Sequence, residues 1–239
     1  MRGRLAGFSC LVVLIAAAPA GAASLEGIAG WEGDVFGQGY GFLTGGVIAH
    51  DKAPLSVPFR VSGSYLYYEF DDDAGHVTVQ APGASALVGI RRNGHAGSVT
   101  LMAGGEGRRE RRERDTGEVG VLWRGGFVGQ LECGLSSGRF QPQGLVVYSG
   151  ASKYVYGRAL LRWQLSNRAW SGPTTWFAGV EGVGQGNADV SAGQAGLAVD
   201  CTLVKARTTL GLRGGVKRSD SGNGSVDGGY VGMGLYRAF

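Results

Sequence analysis

Ser136 is the residue that could act as a nucleophile, because Gly134-Leu135-Ser136-Ser137-Gly138 matches the G-x-S-x-G pattern of a nucleophile elbow. An elbow requires a helix directly after the serine, together with a His and an acid that complete the triad. The residues that follow, 139–144, include Pro142 and have no helical periodicity. We therefore interpret the match as a turn between two strands and assign no catalytic residue.

Metal-binding motifs are also missing from the sequence. His50, His76 and His95 stand singly at or next to predicted turns, without an H-E-x-x-H motif or a paired cysteine spacing. The acidic run 71–73 lacks the alternating Asp-x-Asp-x-Asp-Gly arrangement of a calcium loop and is interpreted as solvated. The sequence thus predicts no metal site and no cofactor.

A run of arginines and acids over 108–115 is the strongest local charge feature. Guanidinium forks match phosphate and carboxylate geometry, so an outer loop of this kind could bind anions or glycans. The interleaved acids favour the alternative, a hairpin edge that neutralises its own charges. No nucleic-acid motif accompanies the run, and no nucleic-acid partner is predicted. The candidate anion- or glycan-binding residues are Arg108, Arg109, Arg111, Arg112 and Arg114.

Strands must position these residues, because alternation with a period of two dominates the chain. In segment 118–135 the apolar residues fall on one face, as Trp123, Phe127 and Leu131 do, while Arg124 and Glu132 fall on the other. Alternation of this kind is typical of a transmembrane strand with lipid on one side and a polar lumen on the other. Forty-six glycines among 239 residues suit tilted, tightly packed barrel walls.

Similar segments recur along the whole chain, separated by turn signals at 51–54, 71–75, 93–94, 108–117, 171–173 and 219–225. They predict one domain, an antiparallel up-and-down transmembrane β-barrel of about twelve strands, or ten or fourteen if the segments with Pro82 and Pro142 merge or split. The segments are 29–36, 39–49, 56–70, 77–91, 98–106, 118–135, 140–149, 154–165, 174–184, 194–204, 208–217 and 230–239.

Both termini indicate export to the outer membrane. Arg2 and Arg4 precede an apolar run and small residues at 20–22, so we expect a signal peptide over 1–23 and a mature barrel domain over 24–239. Its removal lowers the formal charge from +4 to +2. The last strand ends on Phe239, which resembles the insertion signal of bacterial outer-membrane barrels. Arg237 departs from that pattern, because an aromatic residue is usual there.

The opposite phase of the strands collects charges of both signs in the lumen. They must pair or stay hydrated, since an isolated buried charge carries a heavy desolvation penalty. Two interpretations stay open: a salt-bridged interior that holds a small barrel rigid, or a polar conduit. The predicted lumen-facing charges are Glu32, Asp34, Arg60, Glu106, Glu118, Arg124, Glu132, Arg158, Arg162, Glu181, Asp200, Arg213 and Lys217.

Several stretches together resemble the BcsS family of exported, barrel-like proteins associated with bacterial cellulose biosynthesis. The resemblance covers most of the mature chain and is best over its last third. It carries no catalytic signature, so no site residues are transferred. The stretches that carry it are 30–34 (GWEGD), 57–70, 176–181 (WFAGVE), 185–187 (QGN), 212–221 (LRGGVKRSDS) and 235–239 (LYRAF).

The resemblance implies a non-enzymatic accessory of cellulose or exopolysaccharide production in the outer membrane of a Gram-negative bacterium. Its expected partners are outer-membrane lipid, cellulose or another exopolysaccharide, and components of cellulose secretion. A porin-like channel is the first alternative. A lipid-modifying barrel enzyme is the second, although no histidine is evidently paired with a strand serine.

Overall fold

A computed structural model describes residues 23–51, 53–72, 75–136, 138–165, 174–187, 190–221 and 224–239. Residues 1–22 of the predicted signal peptide lie outside this part of the chain. Among the described residues, no helix is long and apolar enough to cross a membrane. The strands are β1 (Ala23–Asp34), β2 (Gly39–Ala49), β3 (Leu55–Asp72), β4 (Gly75–Asn93), β5 (Gly97–Arg114), β6 (Val119–Leu135), β7 (Phe140–Ser149), β8 (Tyr154–Gln164), β9 (Thr174–Gly186), β10 (Val190–Leu203), β11 (Thr208–Ser221) and β12 (Gly224–Ala238).

Each strand pairs antiparallel with its neighbours in the chain, and β1 pairs with β12 to close a barrel. The closing register places Gly30 opposite Gly234. Closure leaves no open strand edge in hydrocarbon, where an unpaired backbone group costs several kcal/mol. The predicted fold is confirmed with twelve strands: Pro82 lies within β4 and Pro142 within β7, so neither residue divides a strand.

Alternation along the strands separates an apolar outer wall from the lumen, as the sequence predicts. Trp163, Leu197 and Leu212 are exposed on the outer face, whereas Leu87, Met102 and Val128 form a small buried cluster on the lumen side. Cys133 and Cys201 are free thiols in the outward phase. The outer wall therefore has the apolar character that contact with lipid requires.

The strand connections lie at the two ends of the barrel. The end that carries both termini, called here the terminal end, holds the turn between β6 and β7, which includes Ser136. Ser136 is thus in a turn between strands, as predicted, and no helix follows it. The opposite end, called the distal end, holds the turns after β1, β3, β5, β7, β9 and β11.

Four neighbouring strands extend beyond the rest at the distal end. β3, β4, β5 and β6 have 18, 19, 18 and 17 residues, whereas β7 and β8 have 10 and 11. A tilted strand crosses the membrane in about 9–11 residues, so the excess lies beyond it. We call this extension the projecting sheet; it comprises residues 68–72, 75–79, 105–114 and 119–127.

The projecting sheet corrects one part of the sequence prediction. Segment 108–117 was expected to be a loop, yet β5 continues to Arg114 and only 115–118 form the turn. Beyond the membrane a strand no longer needs an apolar outer face. Arg109 and Arg111 therefore occupy outward positions of a regular strand. Because both faces of this strand carry charges, its sequence shows no alternation of apolar and polar residues.

Candidate functional site

The lumen holds nearly all of the predicted inward charges. Glu118 is the exception: it lies in the β5–β6 turn with its side chain 76% exposed, near Arg114. It is outside the lumen because β6 begins only at Val119. The remaining predicted residues occupy lumen-side positions of their strands, although Arg124 lies on the inner face of the projecting sheet and its side chain is 41% exposed. They are Glu32, Asp34, Arg60, Glu106, Arg124, Glu132, Arg158, Arg162, Glu181, Asp200, Arg213 and Lys217.

Arg60 links three separate strands across the interior. Its Nε donates to Glu26 Oε1 at 2.5 Å, and its two terminal nitrogens donate to the Glu132 oxygens at 2.5 and 3.1 Å. Arg60 and Glu26 are each 4% exposed. Gly46 makes room for this contact, because a Cβ there would lie 2.9 Å from Glu26 Cγ and 3.2 Å from Arg60 Cγ. The bidentate geometry fixes β3 against β6.

Glu26 is a lumen-facing charge that the sequence prediction missed. The first strand was expected to start at residue 29, but β1 begins at Ala23. The alternation that places Glu32 inward, continued six residues towards the N-terminus, would have placed Glu26 on the same face. That signal was obscured by the adjoining predicted signal peptide.

Glu181 is the centre of a second cluster on the other side of the barrel. Its Oε2 lies 3.1 Å from Arg158 Nε and 3.6 Å from Arg213 Nε, and the Tyr230 hydroxyl donates to Oε1 at 2.8 Å. The Glu181 side chain is 1% exposed. Two guanidinium groups offset the desolvation penalty of this buried carboxylate more fully than one partner would.

The other lumen charges are partnered as well. Arg162 reaches Asp200 at 3.2 Å and lies over the Phe177 ring at 4.5 Å from its centroid. Lys217 Nζ donates to Asp34 Oδ2 at 2.6 Å. The remaining contacts run from Gln194 Nε2 to Glu32 Oε1 (2.7 Å), from Ser149 Oγ to Glu106 Oε1 (2.5 Å) and from Arg162 to Gln141 Oε1 (2.7 Å).

These contacts bridge strands that are not neighbours, which the backbone ladder alone cannot do. Arg60 on β3 holds Glu132 on β6, and Tyr230 on β12 holds Glu181 on β9. Arg60, Arg158, Arg162, Glu181 and Lys217 are therefore paired with opposite charges, whereas Glu32 and Glu106 accept from neutral donors. This geometry favours the salt-bridged interior over a polar conduit.

The arginines of the projecting sheet divide between its two faces. Arg108 and Arg112 occupy lumen-side positions, Arg109 and Arg111 occupy outward ones, and Arg114 ends β5. Glu110 accepts from Arg112 at 2.5 Å and lies 3.2 Å from Arg124, so one carboxylate serves two guanidinium groups. On the outer face, Arg111 contacts Glu113 at 3.1 Å. The run is thus largely neutralised by its own acids.

Tyr68 lies on the inner face of the projecting sheet, beyond the membrane. Burial raises the pKa of its hydroxyl, and the nearby Glu110 carboxylate raises that pKa further. The phenol is therefore neutral at physiological pH. It adds a polar contact, but no charge, to the arginine-rich inner face.

A groove on the outer face of the distal rim brings together aromatic side chains from separate strands. It has a volume of about 770 Å³ and lies beside the β1–β2 turn, between Trp31 on one side and Tyr65 and Tyr67 on the other. The register places Gly33 and Gly39 between these aromatic side chains. Its polar lining includes Gln38, Thr78 and Gln80.

The position of Trp31 depends on Gly33, which has no side chain. A Cβ at Gly33 would lie 2.7 Å from Cζ2 of the Trp31 indole. The indole therefore lies over the backbone of Gly33 and forms one wall of the groove. Tyr67 donates a hydrogen bond to Glu69, which holds its phenol at the opposite wall.

Metal-binding side chains do not cluster in the described part of the chain. Within those ranges, no group of three or more His, Cys, Asp or Glu side chains could hold a metal ion. His76 Nε2 lies 3.6 Å from Glu69 Oε2 at the projecting sheet, far along the chain from the Ser136 turn.

The closed ring, apolar outer wall and polar lumen define an outer-membrane β-barrel, and the protein is located in that membrane. Its structure is similar to the translocator domain of the autotransporter NalP from Neisseria meningitidis, with a TM-score of 0.54, 13% identity and coverage of 92% of this chain and 90% of that chain. The β domain of the Bordetella autotransporter Brka gives a TM-score of 0.55 at 13% identity, covering 92% of this chain and 100% of that one. Identity this low shows a shared fold alone.

No protein-family model matches the chain, and no curated protein matches it. The BcsS resemblance and its link to cellulose therefore stay predictions. The terminal strand agrees with the predicted barrel ending: Phe239 N donates to Leu25 O at 2.9 Å, and Arg237 lies over the Phe239 ring at 4.5 Å. Arg237 thus keeps an aromatic contact at the terminal end.

Proposed function

We propose that this protein is a non-enzymatic outer-membrane barrel that serves as an accessory to the production or surface attachment of cellulose or another exopolysaccharide. The groove beside the β1–β2 turn carries the proposal. It places aromatic walls and amide side chains together on an exposed rim. The cross-linked lumen supports it, because such a barrel is a rigid anchor rather than a wide pore.

The groove has the components that sugar rings require. The indole of Trp31 and the phenols of Tyr65 and Tyr67 offer apolar faces on which a pyranose can stack. Gln80 offers donors and an acceptor for hydroxyl groups, and Gln38, whose Oε1 accepts from Lys217 Nζ at 3.1 Å, offers its amide N–H groups. A mostly apolar concave site with a few convergent polar groups is typical of ligand pockets.

The orientation of the barrel supports the same proposal. Outer-membrane barrels keep short turns in the periplasm and place their longer extensions outside. The projecting sheet lies at the distal end, opposite the termini, and we assign that end to the cell exterior. The groove then opens where secreted polysaccharide and the sugars of outer-leaflet lipids are found.

The direct test is binding of a cello-oligosaccharide to the purified barrel in detergent micelles, measured by calorimetry. We expect Trp31→Ala to weaken binding by about tenfold or more, the equivalent of about 1.4 kcal/mol. Trp163→Ala is the matched control, because Trp163 is an outward, exposed tryptophan of β8 away from the groove. Equal binding by both variants would remove the groove from the proposal.

A cellular test addresses the function itself. Deletion of the protein should reduce the yield of cellulose or its attachment to cells, and normal cellulose after deletion would contradict the proposal. The porin-like alternative predicts single-channel conductance in a planar bilayer. The lumen contacts of Arg60 and Glu181 lead us to expect none.

A further inference from the structure

The distal part of β6 has one backbone edge that pairs with no strand of the described chain. Residues 119–127 pair with β5, from Val119 opposite Glu113 to Phe127 opposite Gly105. The β6–β7 pairing begins only at Val128, opposite Ser149. On the side away from β5, no residue of the described chain pairs with 119–126.

The ladder identifies which backbone groups are free. Arg114 N donates to Glu118 O across the β5–β6 pair, so even-numbered residues of β6 direct their N–H and C=O groups towards β5. Odd-numbered residues face the other way, and Phe127 O accordingly accepts from Gly150 N at 2.7 Å. The free groups therefore belong to Val119, Val121, Trp123 and Gly125.

This edge is exposed and carries little protection against pairing. Val119, Val121 and Trp123 are 49%, 48% and 73% exposed. Natural sheets guard exposed edges with charges, proline, bulges or short strands. Segment 119–127 (VGVLWRGGF) has one charge, Arg124, and no proline.

The opposite edge of the projecting sheet is built differently. Beyond its pairing with β2, β3 continues only over 68–72, and three of these five residues are acidic. That edge is short and charged, as expected for a strand that must stay unpaired. This contrast indicates that the β6 edge, unlike the β3 edge, is open to pairing with another strand.

We propose that the free edge of β6 binds an extended segment of a partner polypeptide at the cell surface, which adds a fifth strand to the projecting sheet. Main-chain hydrogen bonds to the odd-numbered residues provide affinity in this mode, and alternate side chains provide specificity. This proposal concerns a protein partner and does not depend on the glycan groove.

The two faces of the sheet define the chemistry of that segment. On the outer face its side chains meet Val121 and Trp123, which favour apolar residues. On the inner face they meet Leu122, which is 45% exposed, and Arg124, which shares the single Glu110 carboxylate with Arg112. The segment therefore has apolar residues on its outer side and an acidic residue beside Arg124 on its inner side.

A second copy of the barrel does not fit this edge. Two barrels in one membrane have their β6 strands running in the same direction across it. The antiparallel pairing used throughout this sheet would require one of them to be inverted. Dimerisation through β6 is thus an outcome that would contradict the proposal.

The probe is a blocked synthetic peptide in which valine alternates with glutamate, added to the folded mature protein in detergent micelles. We expect binding together with slower amide hydrogen exchange at Val121 and Trp123. Methylating the peptide nitrogens that face β6 should abolish both effects. Because it leaves the protein unchanged, this arm is independent of any folding defect.

Two substitutions at one position provide the matched pair. Val121→Pro removes a free N–H without removing a β5 bond and should weaken peptide binding about tenfold or more. Val121→Thr keeps the N–H and the strand preference and should bind within about twofold of the parent. Equal binding of the methylated peptide, or no protection at β6, would overturn the proposal. So would a concentration-dependent dimer that already protects these amides.

Discussion

The closed ring and the projecting sheet differ in how the N–H and C=O groups of their backbones find hydrogen-bond partners. In the ring every strand has two partners, and charged side chains such as Arg60 and Glu181 are buried and paired. In the projecting sheet β6 has one partner, and its charges are largely exposed. Hydrocarbon requires closure, whereas water tolerates an open edge. Within the described residues, the free edge of β6 thus lies where solvent can satisfy its backbone groups.

The largest expected effect separates two positions on the same face of β6. Leu131→Pro removes a ladder bond to β7 within the membrane, and we expect the barrel not to fold. Val121→Pro removes only a free N–H, and we expect unfolding free energy within about 0.5 kcal/mol of the parent. Heat-modifiable mobility on a gel shows whether each variant folds, and denaturant unfolding in detergent micelles measures the unfolding free energy of Val121→Pro. Folding of Leu131→Pro would contradict the distinction between the two regions.

Loss of the Arg60 side chain should have the next largest effect. Arg60→Ala leaves Glu26 and Glu132 without their shared partner, and Glu26 is 4% exposed. Removing one member of a buried ion pair costs about 3–5 kcal/mol. Denaturant unfolding in detergent micelles would show it. A change below about 1 kcal/mol would mean that water already compensates these carboxylates.

Lys217→Met should have a smaller effect, although Lys217 is also buried. Its partner Asp34 keeps two hydrogen bonds through Oδ1, from the backbone amides of Phe36 and Gln38 at 3.0 Å each. The carboxylate is therefore not left unsatisfied, and we expect a loss of about 1–3 kcal/mol. The same unfolding measurement applies. A loss as large as that of Arg60→Ala would show that the turn amides do not compensate Asp34.

The smallest effect is expected at the exposed pair between Arg111 and Glu113. Both side chains are about half exposed, at 46% and 50%. Exposed ion pairs contribute about 0–1 kcal/mol and are screened by salt. Arg111→Ala should therefore leave stability nearly unchanged at physiological ionic strength. As an Arg→Ala change outside the ring, it is also the matched control for Arg60→Ala.

Most of the ring could be predicted from the sequence, because lipid imposes alternation on every strand. The inward positions of Arg158, Arg162 and Asp200 follow from that period alone. The projecting sheet could not be predicted in this way. Beyond the membrane, water contacts both faces of the sheet. The outward residues Arg109 and Arg111 are therefore charged rather than apolar, and the sequence pattern of this strand resembled that of a loop.

Cross-strand register explains what else the sequence left hidden. The groove exists because Gly39 lies opposite Gly33 on one strand and Tyr67 on the next, which no single strand reveals. The same holds for Arg60 and Glu132, 72 residues apart in the chain. Register between strands depends on packing across the whole sheet.

Residue-resolved amide hydrogen exchange along β6 tests the contrast between ring and projecting sheet most directly. Leu131 and Val121 both face away from β5, but only Leu131 lies opposite a β7 residue, Val146. We predict that the Leu131 amide exchanges slower by about a hundredfold or more than those of Val121 and Trp123, while Leu122, which faces β5, is protected. Uniform protection from Val119 to Leu135 would contradict the account.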